Sequence, residues 1–300
     1  MKQYQLTKNA AGFFLITEQT FLCFSGKEVH TFLHNYTTQD IKKLKPGEVT
    51  QAAFLDRKGT IVALSLIIRR EDHQFLVKVE NTKVEALLKH LETFLLLSEI
   101  KVEALQNFQH LIVLGPKSGK EIKLKIASPS WVPASAGMKL FAMTWSYHMY
   151  GLPGFELLIP KKSLVRADFV DPQILEILRI EAGEPRDGVD ITDHMLIQEA
   201  RLETSAVSFT KGCYLGQEIV ARVHTRGHVN RSLKQVKLQK PPPSLPWEIQ
   251  QNGQKIGTIT SCVKSPLAQG YLALGIFYHQ ALDQIVKFHI ELFSHDKPPD

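Results

Sequence analysis

One cysteine in this sequence of 300 residues lies in surroundings that could make a thiol reactive. Cys213 stands between two glycines in the segment Lys-Gly-Cys-Tyr-Leu-Gly-Gln-Glu, residues 211–218, with Lys211 two positions before it. Apolar residues at helical spacing over 219–223 predict a helix directly after the thiol. The free N–H groups at a helix start, together with Lys211 and Arg222, favour an anion there. We therefore expect Cys213 to titrate below the usual value of about 8.5 and to be nucleophilic or metal-competent.

Two other interpretations of Cys213 remain open from the residues alone. An unpaired cysteine is most often a small buried side chain without chemistry of its own. A cysteine hydrolase or acyltransferase would pair Cys213 with His224. The two would lie on different turns of the predicted helix, and the sequence indicates no third residue to orient the imidazole.

The composition limits the class of protein. A chain of 300 residues with 44% hydrophobic content can bury the cores of two or three domains. The net charge of +6 suits an anionic ligand, but the basic residues are scattered and predict no DNA-binding surface. Three distant cysteines, Cys23, Cys213 and Cys262, without a Cys-x-x-Cys pair indicate neither a metal site nor a disulfide scaffold. A reducing cytoplasm is expected.

Hydropathy predicts no membrane association. The apolar run at residues 13–16 is too short for a signal-peptide core, and no run approaches the roughly 18 apolar residues of a membrane helix. Residues 49–80 are typical of strands, and a helix is predicted over 82–95. Strands and helices mixed in this way indicate an α+β fold.

The second half of the chain carries clear local signals. Asp171 is a good N-cap for a predicted helix over 174–182, which Gly183 ends. The following segment Asp-Gly-Val-Asp-Ile-Thr-Asp-His, residues 187–194, lacks the spacing of a calcium loop and is interpreted as an acidic turn. Farther on, Asn-Gly at 252–253 predicts a hairpin within a small β-domain.

The cysteine segment also carries a resemblance to a known family. Lys-Gly-Cys-Tyr-x-Gly-Gln-Glu followed by Ala-Arg resembles the signature of the YgfZ family. These are folate-binding proteins tied to iron–sulfur cluster assembly or repair and to tRNA modification, and they are relatives of the glycine-cleavage T-protein, a folate-dependent aminomethyltransferase. Arg-Ile-Glu-Ala-Gly-Glu-Pro at 179–185 is similar to the family's Arg-x-Glu-Ala-Gly-x-Pro, and the similarity runs over nearly the whole chain.

The resemblance implies an architecture. It is an α+β, T-protein-like ring of three domains, with a ferredoxin-like domain and a C-terminal β-barrel around a central folate channel. Residues 1–48 together with 147–235 would form a discontinuous folate-binding domain that carries the cysteine motif. Residues 49–146 would form the ferredoxin-like domain, and residues 236–300 the small β-barrel domain.

The resemblance also implies a site for tetrahydrofolate or a derivative. The family's glutamate at the position of Glu181 hydrogen-bonds the pterin ring, and a carboxylate suits adjacent N–H donors because it accepts two parallel bonds. The other implied folate contacts are Arg179, Arg222, Arg231, Tyr214, Gln217 and Glu218. Cys213, assisted by Lys211, would supply thiolate chemistry near the channel. One cysteine cannot hold a cluster, so an iron–sulfur partner, which could be a tRNA-modifying enzyme, would provide the other ligands; no metal site is expected in this chain.

Two alternatives to this function are weighed. T-proteins carry an acidic residue, in a Gly-Gly-x-x-Asp-Asp segment, beside the reacting folate nitrogen, whereas the comparable residues 58–64, Lys-Gly-Thr-Ile-Val-Ala-Leu, contain no carboxylate. Because valine and alanine cannot accept a proton, aminomethyl transfer ranks below the first function. T-proteins also carry a tyrosine where Asp187 stands, so one folate contact is expected to be missing or changed. Direct tRNA binding through the basic residues 211–231 is a further alternative. No aromatic platform or RNA-binding motif supports it, and any tRNA link is expected to be indirect.

Overall fold

The structure is a computed structural model and describes residues 1–125, 143–161, 165 and 167–293. Its α-helices are α1 Lys2–Asn9, α2 Val29–Tyr36, α3 Val84–Leu95, α4 Ser118–Lys125, α5 Gln173–Glu181, α6 Glu203–Ala206 and α7 Gln217–Arg226. Its strands are β1 Gly12–Ile16, β2 Gln19–Ser25, β3 Val49–Leu55, β4 Ile61–Glu71, β5 Gln74–Glu80, β6 Lys101–Ala104, β7 Phe108–Leu114, β8 Met143–Met149, β9 Leu152–Pro160, β10 Arg231–Leu238, β11 Trp247–Gln251, β12 Gln254–Ser265, β13 Gly270–Tyr278 and β14 Ile290–Leu292. Short 3-10 helices cover Ile41–Lys43, Asn81–Lys83 and His279–Phe288.

The strands form three antiparallel sheets. The first sheet has the order β1-β7-β9-β8, the second β3-β4-β5-β2-β6 and the third β11-β12-β13-β10-β14. Strand β4 shows why the sequence forms sheet here, because its side chains alternate between buried and half-buried over most of its length. Helices and antiparallel strands occur together throughout the described part of the chain, so the predicted α+β class is confirmed.

The first and second sheets pack against each other. Phe21 and Leu76 of the second sheet share a buried apolar cluster with Trp145 and Leu158 of the first. On its other face the second sheet is covered by α2 and α3, which contribute residues such as Leu33 and Leu87 to a second cluster. The second sheet therefore lies between two helices and the first sheet.

The sheets draw strands from both sides of the predicted domain boundaries. Strand β2 lies before residue 48 but pairs with β5 along its whole length. Strand β10 begins at Arg231 and pairs with β13 of the C-terminal segment. Hydrogen bonds thus connect segments that the prediction assigns to different domains. Local composition does not show which distant strands pair. The boundaries themselves stay a prediction.

The C-terminal hairpin forms where the sequence predicts it. Asn252 and Gly253 both have positive φ, 52° and 73°, and connect β11 to β12. This is the conformation that a two-residue hairpin turn requires. Across the described ranges, no helix combines the length and apolar character needed to cross a membrane.

Candidate functional site

A cavity of about 450 Å³ lies between the first two sheets and α5, and we call it the inter-sheet cavity. Its wall includes Leu64, Lys78, Tyr150, Glu176, Arg186 and Asp187. The volume falls within the range of small-molecule sites, and the wall mixes apolar strand residues with a few charged groups. These properties make it the candidate ligand site.

A second cavity, of about 600 Å³, adjoins the first and is called here the C-terminal cavity. It lies against the third sheet, where Arg231 and Lys255 line it. Glu176 and Arg186 line both cavities, so the two openings meet at these side chains. A long ligand could extend from one into the other past Arg186.

Lys78 connects the wall of the inter-sheet cavity to the protein interior. Its Nζ lies 2.6 Å from Oε1 of the fully buried Glu156, whose Oε2 lies 3.1 Å from Nε2 of His110. Burial opposes the ionisation of Glu156, but the Lys78 charge and the His110 hydrogen bond outweigh it and lower the pKa to about 2. The cation at the wall is therefore held in place by a buried carboxylate.

Asp187 lines the same cavity with a carboxylate of which one oxygen accepts a hydrogen bond and the other does not. Its Oδ2 accepts a 2.7 Å hydrogen bond from the backbone amide of Leu64 on β4. Its Oδ1 has no hydrogen-bond partner among the described residues, and Nζ of Lys83 lies 3.7 Å away. Burial raises the pKa of Asp187, although the Leu64 amide and Lys83 oppose the shift. The side chain is only 3% exposed, so its bonding capacity is not met by bulk water.

Two further wall residues carry buried polar atoms without a hydrogen-bond partner in the described part of the chain. They are Oε1 of Gln19 and Nε of Arg186. The amide of Gln19 donates to Glu80 over 2.8 Å, which leaves its oxygen as an acceptor. Buried polar groups are nearly always paired in folded proteins, so an acceptor and a donor left over at a cavity wall indicate a ligand or bound water.

Arg179, a predicted folate contact, lines the inter-sheet cavity, but its hydrogen bonds are made within the protein. All five of its N–H donors are used within the protein, by the Glu176 carboxylate, the Glu184 carbonyl, Asp190 and Ser261. Asp190 in turn accepts hydrogen bonds from Ser261 and the neighbouring threonine on β12. Arg179 therefore ties α5 to the third sheet and has no N–H left for a ligand.

Glu181, the pterin contact that the resemblance implies, lies outside both described cavity walls. Its Oε2 accepts a 2.7 Å bond from the hydroxyl of Tyr4, and its Oε1 accepts bonds from Ser265 and the Leu267 amide at 2.7 and 3.2 Å. The side chain is buried and is not part of either cavity wall as described. With both oxygens engaged, Glu181 joins α1, α5 and the third sheet rather than facing the candidate ligand site.

The two other predicted arginine contacts are separated. Arg231 lines the C-terminal cavity, where Nε and one terminal nitrogen contact Glu199 at 2.9 and 3.3 Å. Arg222 lies on the exposed face of α7, paired with Glu218 at 2.7 Å, and neither residue belongs to the described walls. Arg231 therefore lies beside the C-terminal cavity, whereas Arg222 and Glu218 line neither described cavity.

Lys211 has a structural role in place of the predicted chemical one. Its ammonium donates to the backbone carbonyl oxygens of His34, in the last turn of α2, and of Thr37 and Gln39, just beyond it. The side chain is buried, and burial lowers its pKa to about 8. Three carbonyl acceptors use all three N–H bonds of the ammonium, so Lys211 anchors the cysteine segment to residues 34–39.

The rest of the cysteine segment folds back on the β3–β4 turn. Tyr214 is buried in the core, and Oε1 of Gln217 accepts from the Tyr214 amide at 3.3 Å. Gly216 has φ of 82°, and a Cβ there would lie 2.7 Å from the carbonyl oxygen of Asp56. Only glycine allows this approach of two backbones. None of these residues lines a described cavity, so the predicted folate contacts Tyr214 and Gln217 are not at the candidate site.

Cys213 is exposed at the surface of this segment. The helix predicted after it is confirmed as α7, which begins at Gln217, so the thiol lies outside the first helical turn. The interpretation of Cys213 as a buried filler is wrong. His224 stacks on Phe209 with ring centroids 3.8 Å apart, an arrangement that accounts for the imidazole without a catalytic pairing. Within the described residues, no group of three His, Cys, Asp or Glu side chains could hold a metal ion.

Sequence reasoning missed the residues that form the cavity wall. The sequence indicates an acidic turn at Asp187 and ordinary strand residues at Lys78 and Leu64. Asp187 and Leu64 are 123 positions apart, and no periodicity predicts their contact. One signal was available, namely that Asp187 lies two positions after the last residue of the Arg-x-Glu-Ala-Gly-x-Pro segment.

Comparison with known proteins supports the same architecture. The sequence profile of the GCVT N-terminal domain matches residues 2–166. An aminomethyltransferase from Thermoanaerobacter pseudethanolicus is 24% identical over 99% of this chain and 86% of its own length. The tRNA-modifying protein YgfZ from Yersinia pestis is 26% identical over 80% of this chain and 76% of its own. The crystal structure of the glycine cleavage system aminomethyltransferase T from Bartonella henselae superposes with a TM-score of 0.76 at 22% identity, covering 92% of this chain and 81% of that one. The predicted T-protein-like fold is thereby confirmed.

Proposed function

The chain belongs to the GCVT N-terminal domain family as a YgfZ-type relative of the T-protein, and from this premise we propose that it is a folate-binding protein that supports iron–sulfur enzymes. The inter-sheet cavity is the observation that carries the proposal. We place the protein in the cytoplasm and its effect on tRNA in the iron–sulfur enzymes that modify tRNA.

The residues at the two cavities fit a reduced folate. Its heterocycle is flat and carries N–H donors, which suit the apolar strand walls and the unpaired oxygens of Gln19 and Asp187. Its glutamate tail is anionic and suits Arg186 and Lys255 along the C-terminal cavity. When bound, the folate would supply a carrier for one-carbon units. The protein would contribute binding, orientation and exclusion of water.

We assign Cys213 to a different step from folate binding. The thiol is exposed on the segment that Lys211 anchors, away from the described cavity walls. An exposed thiol is available to a partner protein, and a single cysteine needs further ligands from that partner to hold a cluster. We therefore propose a transient contact between Cys213 and an iron–sulfur client.

Aminomethyl transfer is a second candidate function, and one observation favours it. Residues 58–64 lack a carboxylate, but Asp187 brings one to the amide of Leu64 from a distant part of the chain. Assay of glycine cleavage with the lipoylated partner protein of that system tests it directly. Turnover that depends on folate would support this function, and absence of turnover by a folate-binding protein would exclude it.

Calorimetric titration with 5-formyltetrahydrofolate tests the proposed folate site. We expect saturable binding by the native protein and its loss in Leu64→Trp, because an indole would fill part of the inter-sheet cavity. Val286→Trp is the control, since Val286 is 64% exposed and outside both described walls. Failure of the native protein to bind, or equal binding by Leu64→Trp with an unchanged melting temperature, would contradict the proposed site.

A further inference from the structure

We propose that Asp187 recognises the N–H donors of the ligand's heterocycle, and that it supplies from the loop after α5 the acidic group that residues 58–64 lack. This inference rests on the proposed folate-binding function and identifies the residue that selects the ligand. The carboxylate of Asp187 accepts, through Oδ2, a 2.7 Å hydrogen bond from the backbone amide of Leu64.

The geometry orients the carboxylate. The hydrogen bond from the Leu64 amide holds Oδ2 against β4, which leaves Oδ1 as the oxygen with unused bonding capacity. The side chain of Asp187 is 3% exposed and belongs to the wall of the inter-sheet cavity. A buried acceptor without a donor carries a desolvation cost, which an N–H from a bound molecule would remove.

Three other acidic residues at this wall already accept hydrogen bonds, and a fourth, Glu18, is 74% exposed and lies 3.6 Å from Arg186. Both oxygens of Glu176 accept bonds from Arg179, Glu80 accepts from Gln19, and Glu184 accepts from the Tyr150 amide. Among the acidic side chains described at the wall, Asp187 alone has a buried oxygen without a hydrogen-bond partner. The ligand's donors therefore have one preferred acceptor carboxylate.

The nearest cation does not complete the site. Lys83 lies 3.7 Å from Oδ1 of Asp187 and 3.6 Å from Asp193, whose side chain is 88% exposed. These distances are longer than those of charge-assisted hydrogen bonds, which are about 2.7–2.9 Å. Lys83 thus favours ionised Asp187 while leaving Oδ1 able to accept a ligand N–H.

Titration of three ligands tests the inference: 5-formyltetrahydrofolate, the heterocycle half 6,7-dimethyltetrahydropterin, and the tail half p-aminobenzoylglutamate. In Asp187→Asn the amide oxygen can keep the Leu64 hydrogen bond, so that the NH₂ group faces the ligand's donors. We expect affinity for the first two ligands to fall by about 10- to 100-fold, the effect of one charge-assisted hydrogen bond, and affinity for the tail half to stay unchanged. Asp193→Asn is the control, because Asp193 shares Lys83 but is exposed.

The possible outcomes distinguish failure of this inference from failure of the proposed function. If the native protein binds no reduced folate, the proposed function fails and this inference with it. If the native protein binds and Asp187→Asn binds equally well, the function stands and the inference is overturned. Adding Leu64→Asp to Asp187→Asn returns a carboxylate to the same wall, so partial recovery of affinity supports the inference. A further loss in the double variant, with the fold intact by melting, contradicts it.

Discussion

Lys78 on β5 and Glu156 on β9 meet as a buried ion pair, with 2.6 Å between Nζ and Oε1. The two strands belong to different sheets, so the pair fixes how the second sheet lies on the first. His110 on β7 contacts the other oxygen of Glu156 and packs edge-on against Phe21. Since Lys78 also lines the inter-sheet cavity, the same interaction supports both the sheet packing and the candidate ligand site.

Glu156→Gln should destabilise the protein at neutral pH and flatten its response to acid. The pKa of Glu156 is about 2 in the folded protein against an ordinary value of 4.5. Its stabilisation, on the order of 3 kcal/mol, is therefore fully present above pH 4.5 and is lost as the pH falls from 4.5 towards 2. Urea denaturation of both proteins between pH 7 and pH 3 measures the difference.

Glu103→Gln is the control for that measurement. Glu103 pairs with Lys101 at 2.9 Å, but both side chains are more than half exposed, and such pairs contribute little. Equal acid sensitivity of the native protein and Glu156→Gln would show that the buried pair does not control acid stability.

Lys211→Met should unfold more easily without affecting any chemical step. The variant leaves three carbonyl oxygens, in the last turn of α2 and just after it, without their donor, which should cost about 2–4 kcal/mol. Lys58→Met is the matched control because Lys58 is exposed on the neighbouring β3–β4 turn. Chemical denaturation measures the loss. If Lys211→Met is as stable as the native protein but inactive, that result would support the predicted chemical role of Lys211 beside Cys213.

Local structure was largely accessible from the sequence. Helix α7 and the Asn252–Gly253 turn follow from short-range signals, namely apolar spacing and the need for positive φ. Asp171 contributes as expected, since its Oδ1 accepts from the amide of Gln173 at the start of α5. These features depend on residues a few positions apart.

The site was less accessible because its contacts join distant segments. A helical arginine or glutamate gives no sign of whether its partners are protein groups or a ligand. Arg179 and Glu181 proved to be satisfied by α1, the loop after α5 and the third sheet, which tertiary packing alone decides. Asp187 reaches the cavity for the same reason, through an amide 123 residues away.

Cys213→Ala should leave stability unchanged and abolish the cellular function. The side chain is exposed, and substitutions at such positions usually change stability by less than about 0.5 kcal/mol. The functional readout is an iron–sulfur-dependent tRNA thiolation in a strain that lacks the protein. Cys23→Ser is the control thiol, because Cys23 is half-buried in the second sheet and lines neither described cavity. Full restoration of thiolation by Cys213→Ala would contradict the proposed contact with an iron–sulfur client.

Glu181→Gln should lower stability while keeping affinity for reduced folate. The carboxylate accepts hydrogen bonds from Tyr4, Ser265 and the Leu267 amide, and an amide can replace only part of this set, at a cost of about 1–3 kcal/mol. Tyr4→Phe removes one of the same bonds without changing the carboxylate, so it should lose stability in the same direction. Denaturation and calorimetric titration with 5-formyltetrahydrofolate are compared for both variants. Weakened folate binding by Glu181→Gln, together with normal binding by Tyr4→Phe, would show that Glu181 binds the pterin. The hydrogen bonds of Glu181 to α1 and the third sheet would then be of secondary importance.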